Sequence, residues 1–315
     1  MLTSWDAERD LLTFETERLS GILVADNGEA VSDHRHHVRN LVYRRNAMFA
    51  SPEGSQMDRS GSLTLFRAYS KNSWLTELRA LRPQVERTDT GAILTWQPTI
   101  SHQVSTTAEF SIKSPNIIDV DITVRGYTHY PAYELLCSNY VHSDLSGGLF
   151  LGNWSAEDKV ARESTMIPDS PAYHGMYNFF PRDETAAHIM TDGRGQKGRW
   201  PWHVACGRPY AYPLGFASNE NLCAVFMGKP EDVSTVGVTY HAEGAAYDGV
   251  AAHHALYLSL FGRDLYAGDA WRTQIRLVVG DYGRDEEMDK GIISEYDAFI
   301  GWTGGLFGAN EIRPD

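Results

Sequence analysis

Strict alternation between Ala108 and Arg125 constrains this chain more than any other feature. Phe110 and Ile112 alternate with Glu109, Ser111 and Lys113. Ser114-Pro115-Asn116 reads as a turn, after which Ile118, Val120, Ile122 and Val124 alternate with Asp119, Asp121, Thr123 and Arg125. A period of two places the apolar set on one face and the polar set on the other. The stretch therefore predicts an antiparallel hairpin with one face on a core and the other in water. Beyond Tyr127-Thr128-His129-Tyr130-Pro131, the run Tyr133 to His142 reads as a buried strand with polar residues set into it. Polar groups on a buried sheet face need a reason, and ligand binding is one.

The rest of the chain extends this pattern. Short strands are predicted at Phe14–Arg18 and Gly21–Val24, and another through Val38 to Tyr43. A further strand carries Leu63, Leu65 and Arg67 on one face and Phe66 on the other. A hairpin turns at Thr88-Asp89-Thr90-Gly91, and late strands cover 222–227, 236–244, 254–261 and 271–279. Ser73 to Arg82 predicts a short helix ended by Pro83. Residues 153–199 lack periodicity and predict a long functional loop. Met288, Ile292, Tyr296, Phe299 and Ile300 recur at helical spacing, which predicts one C-terminal helix over about 285–300. No helical pattern separates successive strands. The expected architecture is all-β: two large antiparallel sheets packed face to face, as one domain over 1–315.

Composition narrows the function classes. At 42% hydrophobic and 22% charged, the chain has the makeup of a folded protein. Its net charge of −13 argues against a general nucleic-acid or anionic-membrane binder, which would lean on Lys and Arg. Three cysteines, Cys137, Cys206 and Cys223, form no disulfide framework and read as buried thiols. The start, Met1-Leu2-Thr3-Ser4-Trp5-Asp6, lacks a basic segment followed by an apolar run, and no apolar run is long enough to span a membrane. A cytoplasmic location is the expectation. There is no phosphate-binding loop, no dinucleotide fingerprint, no Gly-x-Ser-x-Gly and no cysteine pair at zinc spacing.

The run Leu260-Phe261-Gly262-Arg263-Asp264-Leu265-Tyr266-Ala267-Gly268-Asp269 lies between two strands, the second carrying Trp271, Arg272 and Arg276. It resembles the end of galactose mutarotase-like β-supersandwich proteins, and the hairpin around Ser114-Pro115-Asn116 is similar to their middle strands. The resemblance covers residues 14–280 as architecture. It implies a β-supersandwich and a sugar ligand. Members include aldose epimerases, domains of glycoside hydrolases, polysaccharide lyases and carbohydrate-binding domains, so it implies a sugar better than a reaction. In the epimerases a His acts as acid and a Glu as base.

Four groups are candidates for such chemistry. In Tyr240-His241-Ala242-Glu243, a strand would put His241 and Glu243 on one face as a general acid and base, the pair that sugar ring opening requires. The bland alternative is a strand-end His and a turn Glu, both solvated. In His34-Arg35-His36-His37, a strand puts His34 and His36 on the same side, where a divalent metal such as zinc would need a third ligand from elsewhere. The expectation is no cofactor, with a metal at His34/His36 the alternative. Arg35 and Arg39 belong to a cationic run that would grip a uronate carboxylate, though surface arginines explain it as well. Trp200, Trp202 and His203 offer rings that either stack on sugar faces or plug the core. His129 and Glu134 flank the central strand start, where a buried Glu beside Tyr could act as an acid, or simply satisfy a core network. His174 lies where a loop residue could come down on the site. These residues point to a carbohydrate-active enzyme working on a sugar or acidic saccharide in the concave face. Epimerisation, hydrolysis and elimination stay open. A non-catalytic carbohydrate-binding module is the rival reading.

Overall fold

The structure, a computed structural model, describes residues 1–28, 35–43, 55–56, 61–71, 73–142, 144–152, 165–166, 177–186, 202–204, 208–239 and 254–301. Five strands open the chain: β1 (Leu2–Asp6), β2 (Leu11–Glu15), β3 (Leu19–Val24), β4 (His37–Tyr43) and β5 (Ser55–Gln56). They pair in sequence order as one antiparallel sheet. Then come β6 (Thr64–Ser70), β7 (Ser73–Thr76), β8 (Gln84–Arg87), β9 (Gly91–Trp96), β10 (Val104–Lys113), β11 (Ile117–Gly126) and β12 (Tyr130–Tyr140). The later strands are β13 (Ser146–Gly148), β14 (Phe150–Leu151), β15 (Thr165–Met166), β16 (Tyr177–Pro181), β17 (Trp202–Val204), β18 (Leu214–Ser218), β19 (Cys223–Gly228), β20 (Val233–Thr239), β21 (Ala255–Leu265) and β22 (Ala270–Gly280). Helix α1 (Asp285–Ile300) follows them.

Two large sheets dominate. The eight-stranded sheet runs β13-β18-β19-β22-β11-β10-β9-β8, and the seven-stranded sheet runs β17-β16-β20-β21-β12-β6-β7. Their pairings are antiparallel except for β16 with β17. The expected central hairpin is β10–β11, with Phe110 opposite Val120 and Ile112 opposite Ile118. Ala108, Phe110, Ile118, Val120, Ile122 and Val124 are wholly buried. They join Leu12 and Leu23 of the first sheet and Leu135, Leu258 and Leu260 of the seven-stranded sheet in one core cluster. The all-β architecture of large packed antiparallel sheets with a C-terminal helix is thus what the alternation predicts, with a five-stranded N-terminal sheet added. Among the described residues, no helix is long and apolar enough to cross a membrane.

Helix α1 covers the other face of part of the eight-stranded sheet. Met288, Ile292, Ile293, Tyr296 and Phe299 pack on Leu214, Phe216, Val225, Met227 and Val278. Asp285, Glu286 and Glu287 in its first turn suit the positive end of the helix dipole. Gly301, at φ 74°, closes it in the left-handed conformation that glycine adopts without strain. Tyr282 lies between two glycines: a Cβ at Gly280 would come within 2.7 Å of its ring, and one at Gly291 within 2.7 Å of its own Cβ.

Three local expectations give way. Ser73–Thr76 is a strand paired with β6, followed by a 3-10 turn at Leu78–Ala80, where a helix was expected. Leu75 and Leu78 are too few to choose between periods, and pairing with β6 decides. In β6 a bulge lies opposite Leu136 and Cys137, so Arg67 leaves the Leu63/Leu65 face. Within 153–199, β16 is an internal strand carrying two successive buried phenylalanines, Phe179 and Phe180. A strand buried on both faces shows no alternation.

Candidate functional site

Strand β12 has two buried faces of different character. Leu135 and Cys137 point into the main core, and burial pushes the Cys137 thiol up. Glu134, Leu136, Ser138 and Tyr140 alternate with them and point the other way. Register carries this second face across the sheet. Tyr69 stands opposite Glu134 and Arg67 opposite Leu136 on one side, while Ser259 and Tyr257 stand opposite Leu136 and Ser138 on the other. Phe66, Tyr69, Leu136, Tyr140, Phe179, Ala255 and Tyr257 form a cluster of their own there. Gly237 lets the Phe179 ring lie flat on β20, because a Cβ would meet that ring at 2.7 Å.

Charged groups are built into this face. Glu134 is 1% exposed, and its Oε1 accepts hydrogen bonds from the Ser234 hydroxyl at 3.0 Å and the Ser259 hydroxyl at 3.1 Å. Arg67 is 3% exposed and donates to Glu77 Oε1, from Nε at 3.2 Å and Nη2 at 3.1 Å. Arg79 Nε donates to Glu77 Oε2 at 3.0 Å. The Arg67 guanidinium lies 4.4 Å from the Phe66 ring centre and 4.2 Å from that of Trp74, and Arg79 lies 4.2 Å from Phe66. Guanidinium over aromatic faces gains cation–π energy, more so away from water. Trp74, at the sheet's edge strand, is 42% exposed. Burial raises the Tyr140 phenol above its ordinary range, against the Tyr257 hydrogen bond and the two arginine charges.

The residues singled out by sequence fall in three places. The seven-stranded sheet holds Glu134 and the backbone of Trp202 and His203, the latter two in edge strand β17. His129 precedes β12, half exposed, stacked on Tyr266 at 4.5 Å, with Nε2 3.4 Å from Asp264 Oδ2. Its partner is Asp264, whereas Glu134 is buried on Ser234 and Ser259, so the two side chains are held by different groups. The N-terminal sheet takes the basic run. Arg35 donates to Asp26 at 3.1 Å, and the Arg39 Nε is buried without an acceptor among the described residues. His36 is wholly buried against Trp96, and its Nε2 accepts the Leu65 amide at 3.0 Å. That bond places the ring proton on Nδ1 and removes Nε2 from metal ligation. Among the described residues no three His, Cys, Asp or Glu side chains converge as a metal would require. His34, His174, Trp200, Tyr240, His241 and Glu243 lie outside the described residues.

Sequence reading missed Arg67, Glu77 and Arg79 as a unit. Their signal was a bulge and a 3-10 turn, neither of which leaves a periodic trace. A second omission is His102, stacked on Tyr133 with its Nε2 3.1 Å from the phenol oxygen. Burial lowers His102 from 6.5 to about 4 and raises Tyr133.

No family model matches the chain, and no curated protein matches it significantly. Among solved structures it is similar to a GalM/aldose epimerase homologue from C. elegans, at 9% identity and a TM-score of 0.46, over 85% of this chain and 97% of that one. A putative aldose 1-epimerase from Klebsiella pneumoniae subsp. pneumoniae is similar at 8% identity and 0.46, over 97% and 87% of the two chains. Heparan sulfate lyase HepC from Pedobacter heparinus is similar at 7% identity and 0.47, over 90% of this chain but only 37% of that one.

Proposed function

We propose that the chain is a carbohydrate-active protein that takes a sugar or uronate at the polar face of the seven-stranded sheet. One observation carries this reading. A buried sheet face could have been apolar at no cost, yet this one holds Arg67, Glu134 and the phenols of Tyr69, Tyr140 and Tyr257. Flat rings beside hydrogen-bonding groups match a pyranose, which has apolar faces and a polar rim. Trp74 offers an exposed indole at the edge of that face.

In this reading His241 and Glu243, which follow shortly after β20 in the chain, are the general acid and base. The base takes the anomeric hydroxyl proton as the bond from the anomeric carbon to the ring oxygen breaks and the acid protonates that oxygen; or, on a 4-linked uronate, the base takes the proton beside the carboxylate, the bond to the 4-oxygen breaks to leave a carbon–carbon double bond, and the acid protonates the departing oxygen. Glu134, held by two serine hydroxyls, orients the bound ring.

Polarimetry of freshly dissolved galactose and glucose, together with absorbance of unsaturated product from oligogalacturonate and oligoglucuronate, tests the proposal. Turnover in one assay that is lost in His241→Ala and Glu243→Ala, with binding retained by calorimetry, supports it. Saccharide binding without turnover replaces the enzyme by a carbohydrate-binding module. Absence of binding to any of these probes overturns the reading.

A further inference from the structure

A cleft of about 440 Å³ opens where the N-terminal sheet meets edge strand β8. Asp10, Asp26, Arg82, Pro83, Val85 and Arg87 line it. We propose that this cleft binds a small oxyanion: the carboxylate, sulfate or phosphate group of a soluble ligand.

The hydrogen bonding decides the sign of the charge it would take. Asp26 is buried, and both its oxygens are occupied, Oδ1 by Arg35 at 3.1 Å and Oδ2 by Arg82 Nε at 2.9 Å. Asp10 Oδ1 accepts from Arg87 at 2.6 Å. Two cleft arginines, with Arg35 outside the lining, thus pair with both carboxylates, so neither acid of the cleft is left without a guanidinium partner in a chain of net charge −13. A metal cation would have to compete with an arginine at each oxygen of Asp26.

The arginines also keep donors in reserve. Arg82 spends Nε on Asp26, and its side chain is 77% exposed, so its Nη groups are open to solvent. Arg87 spends Nη2 on both Ala7 O, at 2.8 Å, and Asp10, and its guanidinium carbon sits 5.4 Å from the Trp5 ring centre. Its Nε and Nη1 have no partner among the described residues. A guanidinium fixed along one edge by a carboxylate offers its remaining N–H groups as a preset fork, the geometry that suits oxyanions. Pro83 and Val85 supply an apolar wall beside it.

Thermal unfolding and titration calorimetry of the full chain test this, with sodium sulfate, inorganic phosphate and sodium glucuronate each compared with sodium chloride at equal ionic strength. The wild type is expected to gain melting temperature with at least one oxyanion beyond chloride, and the strongest arm identifies the group. Arg82→Gln and Arg87→Gln are each expected to weaken that binding roughly tenfold, and the double variant to abolish it. Arg82→Lys, which keeps the charge but not the fork, should fall between. Circular dichroism identifies a variant that has unfolded, and the exposed Arg82 substitutions then carry the test. Stabilisation no greater than with chloride, equal binding by the double variant, or stabilisation by calcium chloride instead would overturn the proposal. None of these outcomes depends on saccharide turnover at the sheet face.

Discussion

Asp121 and Glu134 are both carboxylates on internal strands of large antiparallel sheets, and different physics holds each. Asp121 projects from the outer face of the eight-stranded sheet and meets two residues of β22, Gln274 directly opposite at 3.0 Å and Arg272 diagonally at 3.3 Å. Water can replace either contact. Glu134 projects from the second face of the seven-stranded sheet, where its partners are serine hydroxyls and burial is nearly complete. Where the first face is wet, a polar residue is the default and its pairings contribute little. On the second, each polar group needs a partner, because a lost one is not replaced by water. The two faces look alike as side-chain inventories; solvent separates them.

The sharpest way to break this contrast is to cut one cation from each face. Arg67→Ala should destabilise by about 3 kcal/mol, since it removes a buried ion pair and a guanidinium lying over two rings. Arg272→Ala should cost less than about 0.5 kcal/mol. Equal shifts of the urea midpoint would dissolve the distinction.

Acid titration sharpens it from the core side of β12. His102 has its pKa lowered by burial from 6.5 to about 4. The unfolded chain therefore takes up this proton first as pH falls. The stability tied to the neutral ring is complete above pH 6.5 and drains as pH approaches 4. The loss is worth roughly 3 kcal/mol, at about 1.4 kcal/mol per pH unit. His102→Gln, which does not titrate, should flatten that part of the stability–pH curve measured by denaturant unfolding. An unchanged slope would mean the ring is not desolvated.

A smaller effect comes from shape against charge at Glu134. Glu134→Leu should cost about 2 kcal/mol, because the Ser259 hydroxyl loses its side-chain acceptor. Glu134→Gln keeps a carbonyl oxygen there and should cost about half as much. Calorimetric unfolding of the two variants separates the roles, and a larger loss for Gln would show that the negative charge itself is required.

The contrast also explains what could be read from residues alone. Strands β10 and β11 have one wet face, so Glu109, Asp121 and Arg125 announce the hairpin by alternating with its core residues. Helix α1 is legible for the same reason, with one apolar stripe and a polar remainder. Strand β12 is buried on both faces, and hydropathy cannot tell Leu135 from Leu136, though one faces the main core and the other the polar cluster. Glu134 could be singled out because a carboxylate in an apolar run is conspicuous. Arg67, Glu77 and Arg79 could not, because a bulge in β6 and a 3-10 turn set their meeting, and both are tertiary outcomes. His36 reads from sequence as a histidine on a strand, but the strand begins one residue later, at His37. That its Nε2 would be committed to the Leu65 amide depends on a strand distant in sequence.

The tyrosine wedged between Gly280 and Gly291 has a consequence for how the chain finishes itself. Its ring acts as a key that admits only a bare α-carbon on either side. Shifting α1 by one residue along the sheet would present Lys290 or Ile292 to that ring in place of Gly291, and neither leaves room. A glycine inside a helix weakens it by about 1 kcal/mol relative to alanine, and here that weakness sets the helix's alignment: Met288, Ile292 and Phe299 reach their seats on the sheet because a single spot along the helix can lie against the ring.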